Sequence, residues 1–177
     1  MPEETTRIQV PERGEVTAIR TAPESSPNGW LFIYSPGSGS NVHDPFGAHA
    51  CRSLAARGFD AVRFQFPYME VGKRRPDRPQ VLEATWRAVI ESVRQDGVRL
   101  AMGGRSMGGR IASQVVADGT PADALALFAY PLRPPSNPEK IRDQHLPLID
   151  VPTLFCSGTR DSFGTPDELR AAASKVP

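Results

Sequence analysis

The chain has 177 residues, of which 39% are hydrophobic and 23% charged, the composition of an ordinary globular protein with enough length to bury a core. Its 21 Lys and Arg residues against 20 Asp and Glu residues leave a net charge of +1, so the overall charge does not favour binding to nucleic acid or to a membrane. No apolar run reaches the roughly 18 residues that span a bilayer, and the start lacks a signal-peptide pattern. We therefore expect a single cytoplasmic domain over residues 1–177, with Cys51 and Cys156 as two buried free thiols.

The first third of the chain predicts a hairpin and then alternating strands and helices. The segments RIQV (7–10) and EVTAIR (15–20) form the expected antiparallel hairpin. WLFIYS (30–35) is a continuous, aromatic-rich run typical of a buried strand, and the proline and glycines that follow end it. A helix over 46–57 and a strand over 61–66 come next.

The middle of the chain begins with a loop over 67–79 that is rich in proline and arginine. Its basic residues favour either attraction of an acidic substrate or an ordinary solvated surface. Apolar residues at helical spacing then predict a helix over 81–95, and VRLAM (98–102) predicts a strand. Helical periodicity resumes at Met107 and continues to about residue 118.

The last third repeats the alternation, with strands expected over 124–131 and 151–156 and a helix over 165–175. Thr165, Pro166 and Glu168 form a typical helix start. Alternating strands and helices favour an α/β fold with a mostly parallel sheet and helices on both faces.

The glycine cluster in RLAMGGRSMGGRIAS (99–113) surrounds Ser106 at the junction of a predicted strand and helix. A one-residue turn between them holds that residue in a strained conformation, and a Cβ two positions before or after it would clash. Gly104 and Gly108 occupy those positions, which gives the G-x-S-x-G nucleophile elbow. A glycine-rich turn that only packs a helix closely on a sheet is the alternative.

Two further features fit acyl transfer. The N–H groups of Met107 and of Ser38, the latter in the SPGSG loop (35–39) after a strand, are candidate donors to an oxyanion. Asp161 follows the strand over 151–156, at the sheet edge that carries Ser106, and is the candidate acid of a catalytic triad. Each feature alone also fits an ordinary turn.

The segments GGRSMGGR, FAYPLRPPSNPEKIRDQHLP and VPTLFCSGTRDSFG together resemble small, lidless α/β-hydrolase-like proteins related to dienelactone hydrolases. The resemblance runs from about Trp30 to the final helix. It implies an α/β-hydrolase sheet with Ser106 as nucleophile, Asp161 as triad acid and Met107 in the oxyanion hole. Many such proteins have His where this chain has Pro36.

The resemblance also implies a catalytic histidine after one more strand, yet residues 162–177 contain none. We therefore expect a sheet that lacks its last strand and that histidine, in a chain that is C-terminally incomplete. His43 is a candidate substitute base. We interpret His49 as a structural residue and His145 as the end of a short flanking helix. Loss of the base costs a serine triad about a millionfold in turnover.

The sequence thus predicts a serine hydrolase that acts on a small carboxylic ester, thioester or lactone through a Ser106 acyl-enzyme. No metal or organic cofactor is implied, and the expected partner is the small-molecule substrate. The alternative is a non-catalytic interaction domain that keeps the fold without the triad histidine.

Overall fold

A computed structural model describes residues 2–134 and 137–177. These residues form one sheet of seven strands in the order β1-β2-β4-β3-β5-β6-β7. The strands are β1 (Glu3–Val10), β2 (Gly14–Thr21), β3 (Trp30–Ser35), β4 (Asp60–Phe64), β5 (Arg99–Arg105), β6 (Ala124–Phe128) and β7 (Thr153–Cys156). The helices are α1 (Pro45–Ala55), α2 (Pro67–Glu70), α3 (Pro79–Val93), α4 (Met107–Ala117) and α5 (Pro166–Ala173), with a short 3-10 helix at Leu146–Leu148.

The predicted hairpin is confirmed as β1 and β2, which reverse through Glu12 and Gly14, two residues with positive φ. β2 pairs with β4 in the antiparallel sense, and β4, β3, β5, β6 and β7 run parallel to one another. The carboxyl ends of these five strands therefore meet at one edge of the sheet, where ligands bind in open α/β sheets.

The helices cover the two faces of the sheet unequally. α1 packs on one face through Cys51, beside Phe32 and Tyr34. The other face carries the larger core, in which Trp86 of α3, Ile111 of α4 and Leu169 of α5 are buried. This arrangement confirms the predicted parallel sheet with helices on both faces.

Several element boundaries differ from the predictions, and three of the differences have a local physical reason. β5 continues past residue 102 to Arg105, because Gly103 and Gly104 pair with β3 on one side and β6 on the other. β6 ends at Phe128, since Ala129 has a φ of 48° that breaks the extended conformation. The predicted loop over 67–79 contains α2, which begins at Pro67, a residue whose φ suits a first helical turn.

The prediction of two buried thiols is correct for Cys51 and wrong for Cys156, which is exposed. Cys156 lies on β7, whose neighbour within the described residues is β6. Its exposure follows from that position at the sheet edge. A cytoplasmic location stays a prediction of the sequence.

Candidate active site

Ser106 is the single residue between β5 and α4, and its backbone has φ 52° and ψ −118°. Such a conformation is rare for a residue with a Cβ. Two backbone hydrogen bonds hold it: the Ser106 N–H donates to the Phe128 carbonyl at 2.8 Å, and the Arg110 N–H donates to the Ser106 carbonyl at 3.1 Å. The strand–turn–helix geometry predicted from the glycine pattern is present.

Gly104 and Gly108 allow the close approach that this turn requires. A Cβ on Gly104 would lie 2.6 Å from both the Ser35 carbonyl oxygen and the Gly109 nitrogen. One on Gly108 would lie 2.6 Å from the Pro36 carbonyl oxygen. Real Cβ atoms do not come so close to backbone atoms, so both positions demand glycine.

The helix that follows Ser106 offers hydrogen-bond donors beside it. The N–H of Met107 is the first of α4, and the first four N–H groups of a helix have no partner within the helix. The positive end of the helix dipole lies at the same point. These groups can stabilise a negative charge that develops near the Ser106 hydroxyl.

The loop after β3 lies against the elbow. A Cβ on Gly37 would lie 3.5 Å from the Arg105 carbonyl oxygen and 3.6 Å from the Ser106 Cβ, which is ordinary contact distance. The Ser40 N–H donates to the Gly37 carbonyl at 3.1 Å and closes a tight turn over residues 37–40. Ser38 in this turn borders the same cleft as Ser106.

Asp161, in the loop after β7, also borders that cleft. Its N–H donates to the Gly158 carbonyl at 3.0 Å, and its carboxylate accepts from the Phe163 N–H at 3.0 Å. The cleft has a volume of about 940 Å³ and opens to solvent. The fold thus brings Ser106, Ser38 and Asp161 to one cleft, although they lie far apart in the chain.

The three histidines, all within the described part of the chain, lie elsewhere. His43 borders a separate pocket with Glu3, so the geometry gives no support to it as a substitute base. The His49 ring lies 3.4 Å from the Ser53 hydroxyl, across one turn of α1.

His145 precedes the short 3-10 helix instead of ending one, which corrects the prediction. Its Nε2 lies 2.8 Å from the Ser113 hydroxyl on α4. Burial, and then the nearby Arg110 guanidinium, lower the pKa of this histidine, so its neutral form is favoured.

Two cleft residues were missed by the sequence analysis. Asp44 is 4% exposed and begins α1, where its carboxylate accepts from the Tyr34 hydroxyl at 2.6 Å and the Gly47 N–H at 3.0 Å. Arg105, directly before Ser106, lies 3.9 Å from that carboxylate. The sequence signal for Asp44 is an acidic residue before a proline at a helix start, which marks a cap but not a cleft.

Neither a metal site nor a membrane span is found in the parts of the chain that the structure describes. Over residues 2–134 and 137–177, no three His, Cys, Asp or Glu side chains are grouped so as to hold a metal ion. Among the helices in these ranges, none has both the length and the hydropathy that crossing a bilayer requires.

Solved structures with the same fold include several hydrolases. A lidless α/β serine hydrolase from Xanthomonas campestris is 21% identical, with a TM-score of 0.78 over 97% of this chain and 78% of its own. A serine hydrolase homologue from Coxiella burnetii is 20% identical, with a TM-score of 0.79 over 100% of this chain and 84% of its own. A dienelactone hydrolase from Anabaena variabilis is 17% identical, with a TM-score of 0.78 over 99% and 81%.

These structural similarities confirm the fold expected from the resemblance. A match to a family model shows in addition which family the chain belongs to. The sequence model of a family described as an alpha/beta hydrolase domain matches residues 29–176, which include the elbow, the loop after β3 and Asp161. The chain therefore belongs to the alpha/beta hydrolase domain family.

Proposed function

We propose that this protein is a serine hydrolase that cleaves a small carboxylic ester, thioester or lactone, with Ser106 as its nucleophile. The observation that carries the proposal is the strained elbow. Ser106 lies at positive φ between β5 and α4, in the same cleft as Asp161 and the loop after β3. Strain of this kind persists where the surrounding structure enforces it, and it concentrates at functional sites.

In the proposed reaction, the Ser106 Oγ attacks the carbonyl carbon of the substrate while an imidazole base takes the hydroxyl proton. The N–H groups of Met107 and Ser38 donate to the oxyanion of the tetrahedral intermediate. The intermediate expels the alcohol or thiol, which receives the proton from the imidazolium. Water then adds to the acyl-enzyme by the same steps and releases the acid, which frees the Ser106 hydroxyl. Asp161 orients the imidazole and stabilises its cation.

The open cleft favours a small substrate. β6 ends at Phe128 and β7 begins at Thr153, so only one short stretch of chain lies at the place where larger lipases carry a lid. Two cleft residues, Arg105 and Arg160, are exposed cations. The dienelactone hydrolase from Anabaena variabilis, which shares the fold, supports a lactone among the candidate substrates.

The second candidate is a non-catalytic interaction domain. The positions of the three histidines favour it, because none of them, over the described ranges, borders the cleft that holds Ser106. The two candidates differ in whether Ser106 is a usable nucleophile once a base is present.

Intact-mass labelling with a fluorophosphonate separates the two candidates. The reagent forms a bond from Oγ to phosphorus and releases fluoride, and imidazole added from solution supplies the base. The proposal expects one adduct, formed faster with more imidazole and absent in Ser106→Ala. Ser113→Ala is the control, because Ser113 is fully buried in α4, the helix that follows Ser106, and its loss leaves the adduct in place. A folded protein that gives no adduct at any imidazole concentration would support the interaction domain.

A further inference from the structure

Three side chains of residues 63–68 hold the loop that carries Ser38. The Tyr68 hydroxyl donates to the Ser38 carbonyl at 2.9 Å. At the far end of the loop, the Arg63 Nε donates to the Val42 carbonyl at 3.0 Å and the Gln65 Oε1 accepts the Val42 N–H at 3.0 Å. Residues of β4, of α2 and of the link between them thereby hold the loop between β3 and α1 at two points, Ser38 and Val42.

The Tyr68 hydrogen bond holds the one peptide of the turn that could otherwise rotate. In the turn over residues 37–40, the Ser38–Gly39 peptide is central, and its rotation interconverts type I and type II turns with little change elsewhere. In a trans peptide the C=O of one residue and the N–H of the next point in opposite directions. Because the Ser38 carbonyl points to Tyr68, the Gly39 N–H points away from it.

The direction away from Tyr68 is the side of the Ser106 cleft. Ser38 and Gly39 border two depressions: the cleft that contains Ser106, and a groove of about 370 Å³ that contains Tyr68. Ser106 borders only the first of these and Tyr68 only the second. The turn therefore separates the two side chains, with its carbonyl on one side and its amide on the other.

Tyr68 is itself well fixed for this role. Its side chain is 2% exposed and its ring stacks on Phe66, with centroids 6.4 Å apart. Its N–H donates to the Asp77 carboxylate at 3.0 Å. Burial raises the pKa of its hydroxyl, so the proton that it donates is present throughout the ordinary pH range.

We propose that Tyr68 is a positioning residue for the oxyanion hole: its hydroxyl fixes the Ser38–Gly39 peptide so that the Gly39 N–H faces the Ser106 cleft and adds a donor beside the Ser38 N–H. The expected effect of Tyr68 on catalysis rests on the proposed function. Its expected effect on the conformation of the turn rests on the hydrogen bond alone. It assigns to a residue outside the cleft a part in stabilising the transition state.

The kinetic test compares Tyr68→Phe with Tyr130→Phe under fluorophosphonate labelling with imidazole. Tyr130 is the matched control, since it is 1% exposed and its hydroxyl donates to the Arg142 carbonyl at 2.7 Å, outside the cleft. We expect the limiting labelling rate of Tyr68→Phe to fall about five- to tenfold, the effect of one lost hydrogen bond, with the reagent's apparent affinity unchanged. Equal limiting rates for the two variants would overturn the proposal.

A second measurement is independent of whether Ser106 reacts at all. Amide hydrogen exchange followed by NMR should accelerate at Ser40, whose N–H closes the turn, in Tyr68→Phe but not in Tyr130→Phe. The amide resonance of Gly39 should shift in the same variant. Unchanged exchange and an unshifted Gly39 resonance would overturn the proposal even if wild-type protein labels normally. Failure of wild-type protein to label, with the turn loosened as expected, would count against the proposed function alone.

Discussion

At the scale of single residues, backbone strain is concentrated beside the cleft. In the described part of the chain, three residues other than glycine have positive φ, namely Glu12, Ser106 and Ala129. Two of these, Ser106 and Ala129, border the cleft, and Glu12 lies in the β1–β2 turn. Conformations of this kind cost about 1–3 kcal/mol each, so a side chain at position 106 is retained against a preference for glycine.

The strain at Ser106 predicts that glycine at this position gives a more stable protein than alanine, the reverse of the usual order. Ser106→Gly should unfold with a free energy about 1 kcal/mol higher than Ser106→Ala, since relief of strain exceeds the extra entropy that glycine gains on unfolding. Denaturant unfolding of both variants measures the difference.

Ser113, seven residues after Ser106 and within regular α4, provides the control. There the order should be the usual one, with Ser113→Ala about 1 kcal/mol more stable than Ser113→Gly. The same order at both positions would contradict the claim that Ser106 is strained.

At the scale of elements, β1 is joined to β4 and α1 by one carboxylate. The Glu3 side chain accepts two hydrogen bonds from Arg63, both at 3.0 Å, and two from Arg52, at 3.0 and 3.1 Å. The Arg63 side chain is only 4% exposed, so Glu3 neutralises a buried cation. The hydrogen bonds from Arg63 are the main cause that lowers the pKa of Glu3 to about 2.

This ion pair predicts a pH-dependent loss of stability. Glu3→Gln should lower the free energy of unfolding by about 2 kcal/mol at pH 7, because it leaves the Arg63 guanidinium buried without its counter-charge. Since the pKa of Glu3 is lower in the folded than in the unfolded protein, its contribution is complete above about pH 4.5 and is lost as the pH falls toward 2. The difference between wild type and Glu3→Gln should therefore narrow over that range.

Urea unfolding at several pH values between 7 and 2 gives the measurement. Glu91→Gln is the matched control, as Glu91 is an exposed residue of α3, and it should match wild type within about 0.5 kcal/mol throughout. A constant difference between wild type and Glu3→Gln down to pH 2 would contradict the role given to the carboxylate.

At the scale of the whole molecule, the two faces of the sheet are covered to different extents near β7. Leu154 pairs in register with Ala126, which packs beside Tyr34 and Cys51 on the face that α1 covers. α1 does not reach Leu154, which is 58% exposed. An exposed apolar side chain on an edge strand favours association with another chain.

Leu154→Lys should therefore weaken self-association at high protein concentration while leaving the unfolding free energy within about 0.5 kcal/mol of wild type. Sedimentation velocity over a concentration series detects the change. Leu148→Lys is the control, because Leu148 is 65% exposed but lies in the 3-10 helix away from the strand edge. Identical behaviour of the two variants would argue against the edge of β7 as the site of association.

The features that could be predicted from the sequence are mostly local in origin. The glycines around Ser106 predicted the elbow, since steric exclusion of a Cβ acts within a few residues. Continuous apolar runs and helical spacing predicted the alternating strands and helices, because burial follows the periodicity of each element. Chain order and parallel strands also predicted that Asp161 would share an edge with Ser106, and both border the same cleft.

The contacts between distant segments could not be predicted from the sequence and are seen only in the folded chain. Tyr68 meets the Ser38 carbonyl across thirty residues, and Arg63 meets Glu3 across sixty. His43, the candidate substitute base, was expected near the site, yet it borders a separate pocket. Such contacts depend on how completed elements pack, and the periodicity of a single strand or helix contains no information about the side chain that will lie opposite it.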